Sequence, residues 1–212
     1  MPAVLSVAVQ LGGGSARRRS VMNYLLDMDG VLVDSKKAWF KTFRELGGIS
    51  REEFENRFWG RDLEANIEDL GTTSRKMCDS VLTRYIREIE LMPKALDLLS
   101  ALPGKKALVT NTTLRCTRDI LRQHGLGGFF DVVVTSDQVE SGKPNPAMIE
   151  RAIAELAAEP DDTVLIGDSE EDIQAGRRAG CLTIGVGVPG DYRADSLEDV
   201  LRIARRLETE RR

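Results

Sequence analysis

The chain has 212 residues, 42% of them hydrophobic and 30% charged, enough for one substantial core and an accessory module. A formal charge of −4 and a pI near 5.3 lack the basic field that a nucleic-acid or anionic-membrane surface needs, so neither partner is expected. No segment is apolar for long enough to cross a bilayer.

Cys78, Cys116 and Cys181 are odd in number, far apart and without C-x-x-C spacing, which argues against a disulfide framework or a zinc site and fits a reducing, cytoplasmic setting. Residues 1–21 read as a disordered extension. Their arginines follow the short apolar stretch, the reverse of a secretory signal, and Met22 offers an alternative start directly before the first strand.

An apolar run over residues 22–26 predicts a buried strand that ends in Asp27-Met28-Asp29-Gly30. Paired carboxylates at a strand's carboxyl end can divide the work of phosphoryl transfer, one attacking phosphorus and the other moving protons. Taken alone, the same stretch also fits a calcium loop or an Asx turn.

Residues 35–92 contain no strong β-run and show helical periodicity, which predicts an accessory module of three or four helices. Trp39, Phe40, Phe43 and Leu46 form one apolar face, and Met77, Val81, Tyr85, Ile86 and Ile89 another. Asp34 and Ser35 are expected to cap the first of these helices, and Ser50 with Glu53 to box the start of another reaching Phe58. Trp39 and Trp59 are expected in the module's own core. Lys36 and Lys37 oppose the dipole of a helix's first turn, a local conflict that can mark function.

From Pro93 onward, helices alternate with apolar strands at 107–110, 132–135, 164–166 and 182–186, the pattern of a parallel sheet covered on both faces. Asn145 and Pro146 suit one helix start, and Ser196 with Asp199 suits a last helix through Leu207. His124, the only histidine, sits near a helix end and is assigned no chemistry.

Strand ends in such a sheet collect at one edge. There the chain places Asp27 and Asp29, then Thr110 and Asn111, then Lys143 within Ser141 to Pro146, then Gly167 and Asp168 with Asp172 beyond. Singly, each has an ordinary structural reading, and Ser169 with Asp172 is also a capping box. Together they bring carboxylates, an ammonium and neutral donors to one place.

In order and spacing, these four segments resemble the four motifs of the haloacid dehalogenase-like hydrolase superfamily, from residue 22 through nearly all of the remaining chain. The resemblance implies an α/β fold: a Rossmann-like core of residues 22–34 and 93–212, and a small helical cap of residues 35–92. Such caps are typified by phosphoglycolate phosphatase and β-phosphoglucomutase. It further implies that Asp27 is a nucleophile forming an aspartyl-phosphate and that Asp29 is the general acid and base. Thr110, Asn111 and Lys143 would bind the phosphoryl oxygens. Mg2+ would bind Asp27, the backbone carbonyl of Asp29 and Asp168, with Asp172 in a direct or supporting role.

The expected activity is Mg2+-dependent hydrolysis of a small soluble phosphate ester, of the phosphoglycolate or sugar phosphate type, by a monomer or homodimer. Members with carbon–halogen chemistry lack a carboxylate at the position of Asp29. A phosphomutase is the alternative, disfavoured because Gly167 stands where the mutase has an acidic residue and Trp39 where it has a cap histidine. A catalytically silent binding module is a third reading, against which Asp27, Asp29, Lys143 and Asp168 speak together. Residues 58–63 resemble the cap loop that faces the active site, so Arg61 is expected to meet the substrate's anionic remainder.

Overall fold

The computed structural model describes residues 21–73 and 76–211, so the expectation for residues 1–20 lies outside the described residues. In chain order, β1 (Asn23–Leu26) and the short β2 (Val33–Asp34) precede α1 (Lys36–Gly47), α2 (Arg51–Glu53) and a π-helical turn, Phe54–Phe58. Next come α3 (Leu63–Asp69), a second π-helical segment (Lys76–Leu82), α4 (Thr83–Tyr85) and β3 (Glu90–Leu91). The remainder alternates: α5 (Ala95–Ala101), β4 (Lys106–Thr110), α6 (Leu114–His124), β5 (Val132–Thr135), α7 (Ala147–Leu156), β6 (Thr163–Gly167), α8 (Glu170–Arg178), β7 (Leu182–Val186), β8 (Tyr192–Ala194) and α9 (Leu197–Glu210).

Six parallel strands form one sheet in the order β5-β4-β1-β6-β7-β8. In this order β1 lies between β4 and β6, with Leu26 beside both Leu108 and Ile166. The chain winds outward from β1 in both directions, and the crevice at such a reversal is where sheets of this kind bind ligands. Side chains alternate between two apolar layers. Leu25, Ala107, Val109 and Leu165 face α7, while Tyr24, Leu26, Leu108 and Ile166 join the layer that includes residues of α5, α6 and α9. Covering both faces explains why these strands read as unbroken apolar runs.

The expected strands hold to within a residue or two. The edge strand β8 was not expected, because three residues carry too little pattern to register. Ser196 Oγ accepts the Asp199 N–H at 3.2 Å, and the helix it opens runs on to Glu210 rather than stopping at Leu207. α7 starts at Ala147, one residue later than expected, with Asn145 Oδ1 accepting the Ala147 N–H at 2.9 Å.

The segment between β1 and α5 carries the extra helices. Its two connections to the sheet are tied by antiparallel pairing of Val33 with Leu91 and Asp34 with Glu90. Ser50 Oγ accepts the Glu53 N–H at 3.1 Å as expected. The helix it opens then widens, the Trp59 N–H reaching back to the Phe54 carbonyl at 2.9 Å, and both Phe54 and Phe58 are buried. The two apolar faces of the insert meet as α1 packs against the segment Lys76–Leu82.

One expectation is overturned here. Cys78 of the insert and Cys116 of α6 form a disulfide across 38 residues, with Cα atoms 5.3 Å apart. Linear spacing is silent about two helices that pack face to face, and the reading of a reducing compartment from cysteine spacing loses its basis. Cys181 is a buried free cysteine, its thiol pushed up to about 12 by burial. Among the described residues, no helix is long and apolar enough to cross a membrane.

Candidate active site

Asp27 directly follows β1, its N–H bonded to the Ile166 carbonyl of β6 at 2.9 Å, which fixes its place at the sheet edge. Lys143 Nζ donates to Asp27 Oδ1 at 2.6 Å, to Asp172 Oδ1 at 2.5 Å and to the Val109 carbonyl at 3.1 Å, a full complement for three ammonium protons. Burial opposes the ammonium charge, but the two carboxylates overcome it and hold Lys143 above its usual range. Asn111 positions this lysine. Its amide donates to the Lys143 carbonyl at 3.0 Å and accepts the Lys143 N–H at 2.8 Å. The Asn111 amide therefore grips protein backbone, where the sequence suggested phosphate oxygens.

Asp29 is held by three donors. Ser35 Oγ and Trp39 Nε1 (3.2 Å) both donate to Oδ1, and Thr112 Oγ donates to Oδ2 at 3.0 Å. Burial pushes the Asp29 carboxyl up, against the pull of these donors and of Lys143. Two expectations change accordingly. Ser35 occupies the N-cap position of α1 but makes no capping bond with its side chain, which is spent on Asp29. Trp39 packs in the insert's core as expected, yet its indole N–H reaches the carboxylate. A signal existed for both: positions 35 and 39 share one helical face, with the Trp39 N–H bonded to the Ser35 carbonyl at 3.0 Å. Thr112, two residues after Thr110, was missed because a single threonine in a loop carries no pattern.

Carboxylate oxygens of Asp27, Asp168 and Asp172 lie within 4.8 Å of one another. Gly30 makes room for this cluster. It adopts φ +82°, and a Cβ there would stand 1.9 Å from Asp168 Oδ2. Burial, with Asp172 and Asp29 adding to it against Lys143, pushes the Asp168 carboxyl up to about 7. Asp27 is raised for similar reasons: burial first, then its carboxylate neighbours, against the pull of Lys143. Four carboxylates share one ammonium here, and the donors are all oxygen, a set suited to a hard divalent cation such as Mg2+. Asp172 serves the frame as well, since its Oδ2 accepts from Ser169 N and Oγ at 3.2 and 2.6 Å and boxes the start of α8.

A cavity of about 340 Å³ lies between this edge and the insert. Asp27, Asp29, Thr110, Asn111, Lys143 and Asp168 line one side, and Trp39, Phe43, Phe54, Phe58, Trp59 and Leu63 the other. The loop between Phe58 and Leu63 is docked on the sheet edge. Asn111 Nδ2 donates to the Gly60 carbonyl at 3.2 Å, and the Gly142 N–H donates to Asp62 Oδ2 at 2.8 Å. Arg61 borders the cavity, but its Nη1 is bonded to Asp69 at 2.6 Å. Lys36 and Lys37 do not line it. They pair with Glu55 at 3.7 Å and Glu88 at 3.5 Å, so acidic groups of the insert offset their unfavourable place in α1. Sequence reasoning also missed Asn66, which lies in no motif, and Glu170 and Glu171, which lie between Ser169 and Asp172 of the last segment; all three line the cavity.

Residues 24–186 match the family model for haloacid dehalogenase-like hydrolases. The chain is 28% identical to the pyrophosphatase PpaX of Bacillus velezensis, over 87% of this chain and 97% of that protein. It is 31% identical to a phosphoglycolate phosphatase of Aquifex aeolicus, over 75% of this chain and 81% of the relative. Its fold is similar to the crystal structure of a putative phosphoglycolate phosphatase from Lactobacillus plantarum, with a TM-score of 0.74 and 20% identity, covering 87% of this chain and 99% of that one. With most of its length matched and the motif residues gathered on one sheet edge, the chain belongs to the haloacid dehalogenase-like hydrolase family.

Proposed function

We propose that this hydrolase is a Mg2+-dependent phosphomonoesterase that cleaves a small phosphate ester through a phosphorylated Asp27. The observation that carries this reading is the 2.6 Å contact of Lys143 with Asp27 on the floor of a cavity, beside the three-carboxylate cluster. An anionic nucleophile approaching an anionic phosphate needs fixed positive charge where negative charge accumulates.

An Asp27 carboxylate oxygen attacks phosphorus, and the bond from phosphorus to the leaving oxygen breaks. That oxygen takes a proton from Asp29, whose raised affinity for protons suits a general acid. Thr112 can support both protonation states, because its hydroxyl can donate to the ionised carboxylate or accept from the protonated one. Water then attacks the phospho-Asp27, Asp29 takes its proton, and phosphate leaves with Asp27 restored. Lys143 holds phosphoryl oxygens throughout. Thr110 Oγ accepts the Thr112 N–H at 3.2 Å, which leaves its proton for a ligand oxygen. Asn111 acts by holding the Lys143 backbone.

Asp27, Asp168 and the Asp29 carbonyl would hold Mg2+, with Asp172 behind them anchoring Lys143; the cation supplies charge compensation for phosphorus-bound oxygens. The insert acts as a cap that excludes bulk water during attack. A mutase is disfavoured further by packing: a Cβ at position 167 would stand 2.3 Å from Asp172 Cβ, so no acidic side chain fits there.

The test is phosphate release from a panel of metabolite and aryl phosphates with Mg2+, comparing wild type with Asp27→Asn. The amide is nearly isosteric but a poor nucleophile, so a folded variant with turnover lowered by at least about a thousandfold is expected. Turnover persisting in that variant would remove Asp27 from its role. Isomerisation of a sugar phosphate without phosphate release would favour the mutase.

A further inference from the structure

The relatives named above carry names for pyrophosphate and phosphoglycolate, substrates whose leaving groups are themselves anions. The cap side of this cavity is built for something else. Trp39, Phe43, Phe54, Phe58 and Trp59 form a continuous aromatic wall, with Phe43 centred 5.2 Å from Phe58 and 5.3 Å from Phe54, and Phe54 5.7 Å from Trp59. Among the described residues the cavity has two cations in its lining. Lys143 is committed to Asp27 and Asp172, and Arg61 is bonded to Asp69, whose carboxyl it holds low. Glu170 and Glu171 add negative charge to the rim. A second anion would find carboxylates and aromatic faces where it needs a guanidinium.

One neutral polar residue interrupts the wall. Asn66 is 2% exposed, and its Nδ2 donates to the Phe58 carbonyl at 2.9 Å, so this amide braces the turn that carries Phe58 and Trp59 and adds no charge to the lining.

Building on the phosphatase reading, we propose that the preferred substrate is a phosphate monoester whose leaving group is uncharged and apolar or aromatic. The wall contributes binding through apolar contact and stacking.

The experiment compares kcat/KM, with Mg2+, for benzyl phosphate, phosphoglycolate and inorganic pyrophosphate. The uncharged ester is expected to exceed both anionic substrates by about tenfold or more. Trp59→Arg, at a half-buried position, should shift preference toward phosphoglycolate. Turnover that favours phosphoglycolate or pyrophosphate in the wild type overturns this inference alone. Release from none of these esters overturns it together with the phosphatase reading.

Discussion

Lys143 Nζ stands 2.5 Å from Asp172 Oδ1, and both side chains are buried. The pair links the loop before α7 to the first turn of α8 and leaves the same ammonium in contact with Asp27. Removing one member of a buried ionic cluster strands the others, which costs about 3–5 kcal/mol. Lys143→Met is therefore expected to lower the stability of the metal-free protein by about that amount, read from denaturant unfolding, and to abolish turnover. Mg2+ should restore part of the lost stability and none of the activity. A variant as stable as wild type without metal would show that the carboxylates do not need this cation.

Thr112 supplies the sole side-chain donor described on Asp29 Oδ2. A bond donated to a carboxylate favours its ionised form, so deleting it raises the carboxyl further above its ordinary value. Thr112→Val should shift the Asp29-dependent limb of the kcat/KM pH profile upward and reduce kcat by about tenfold. An unmoved limb would mean that Asp29 is not the group titrating in that profile.

The fold and the polar floor of the site were legible because ordered motifs and continuous apolar strands report sheet order directly. Asp27, Asp29, Lys143 and Asp168 each follow a strand whose carboxyl end lies at one edge, so linear order alone predicted their meeting. The cap was less legible for a physical reason. A helical insert shows which face is apolar but not which part of that face closes a cavity. Trp39 and Trp59 belong to the core as their pattern says and line the cavity as well, while Lys36, Lys37 and Arg61 pair with Glu55, Glu88 and Asp69. Exposed cations find acidic neighbours through tertiary packing, as Arg61 finds Asp69, and no local rule names that neighbour. The contact of Cys78 with Cys116 is hidden in the same way.

Gly30 faces Asp168 so closely that the position tests both backbone and site. Any side chain there meets a left-handed backbone and the Asp168 carboxylate together. Gly30→Ala should displace Asp168 and weaken Mg2+ activation by about 10- to 100-fold, the usual cost of disturbing a ligand's placement. A Mg2+ titration of activity reads this directly. An unchanged half-saturating Mg2+ concentration would mean that Asp168 is not a ligand.

The raised carboxyl of Asp168 makes metal-free stability fall as pH rises. Its folded value is about 7 against an ordinary 3.8, so between roughly pH 4 and 7 the folded protein keeps a proton that the unfolded chain has released. Fewer protons bound in the unfolded state means stability declines with pH across that window, by at most about 1.4 kcal/mol per unit from this group. Asp27, raised for the same reason, acts in the same direction. A bound cation needs the ionised carboxylates, so it reverses the trend. The Tm gain from saturating MgCl2 should be larger at pH 7.5 than at pH 5.5, measured by thermal unfolding in matched buffers. A pH-independent gain would separate Mg2+ binding from these carboxylates.

The Cys78–Cys116 bond joins the cap to α6 across a sequence separation of 38. On a loop-closure basis a cross-link of that span stabilises by about 4 kcal/mol, chiefly by restricting the unfolded chain. Under non-reducing conditions Cys116→Ser should therefore lower unfolding free energy by a similar amount. The decisive comparison adds dithiothreitol: reduced wild type and the variant should then unfold at nearly the same denaturant midpoint, since both lack the link. A thiol count taken under denaturing conditions should find one reactive cysteine in the oxidised wild type, Cys181, and three after reduction. The cross-link also ties the lid to its base, so its removal should speed cap opening and raise kcat wherever product release limits turnover. Three reactive thiols in the untreated, denatured protein would refute the link itself.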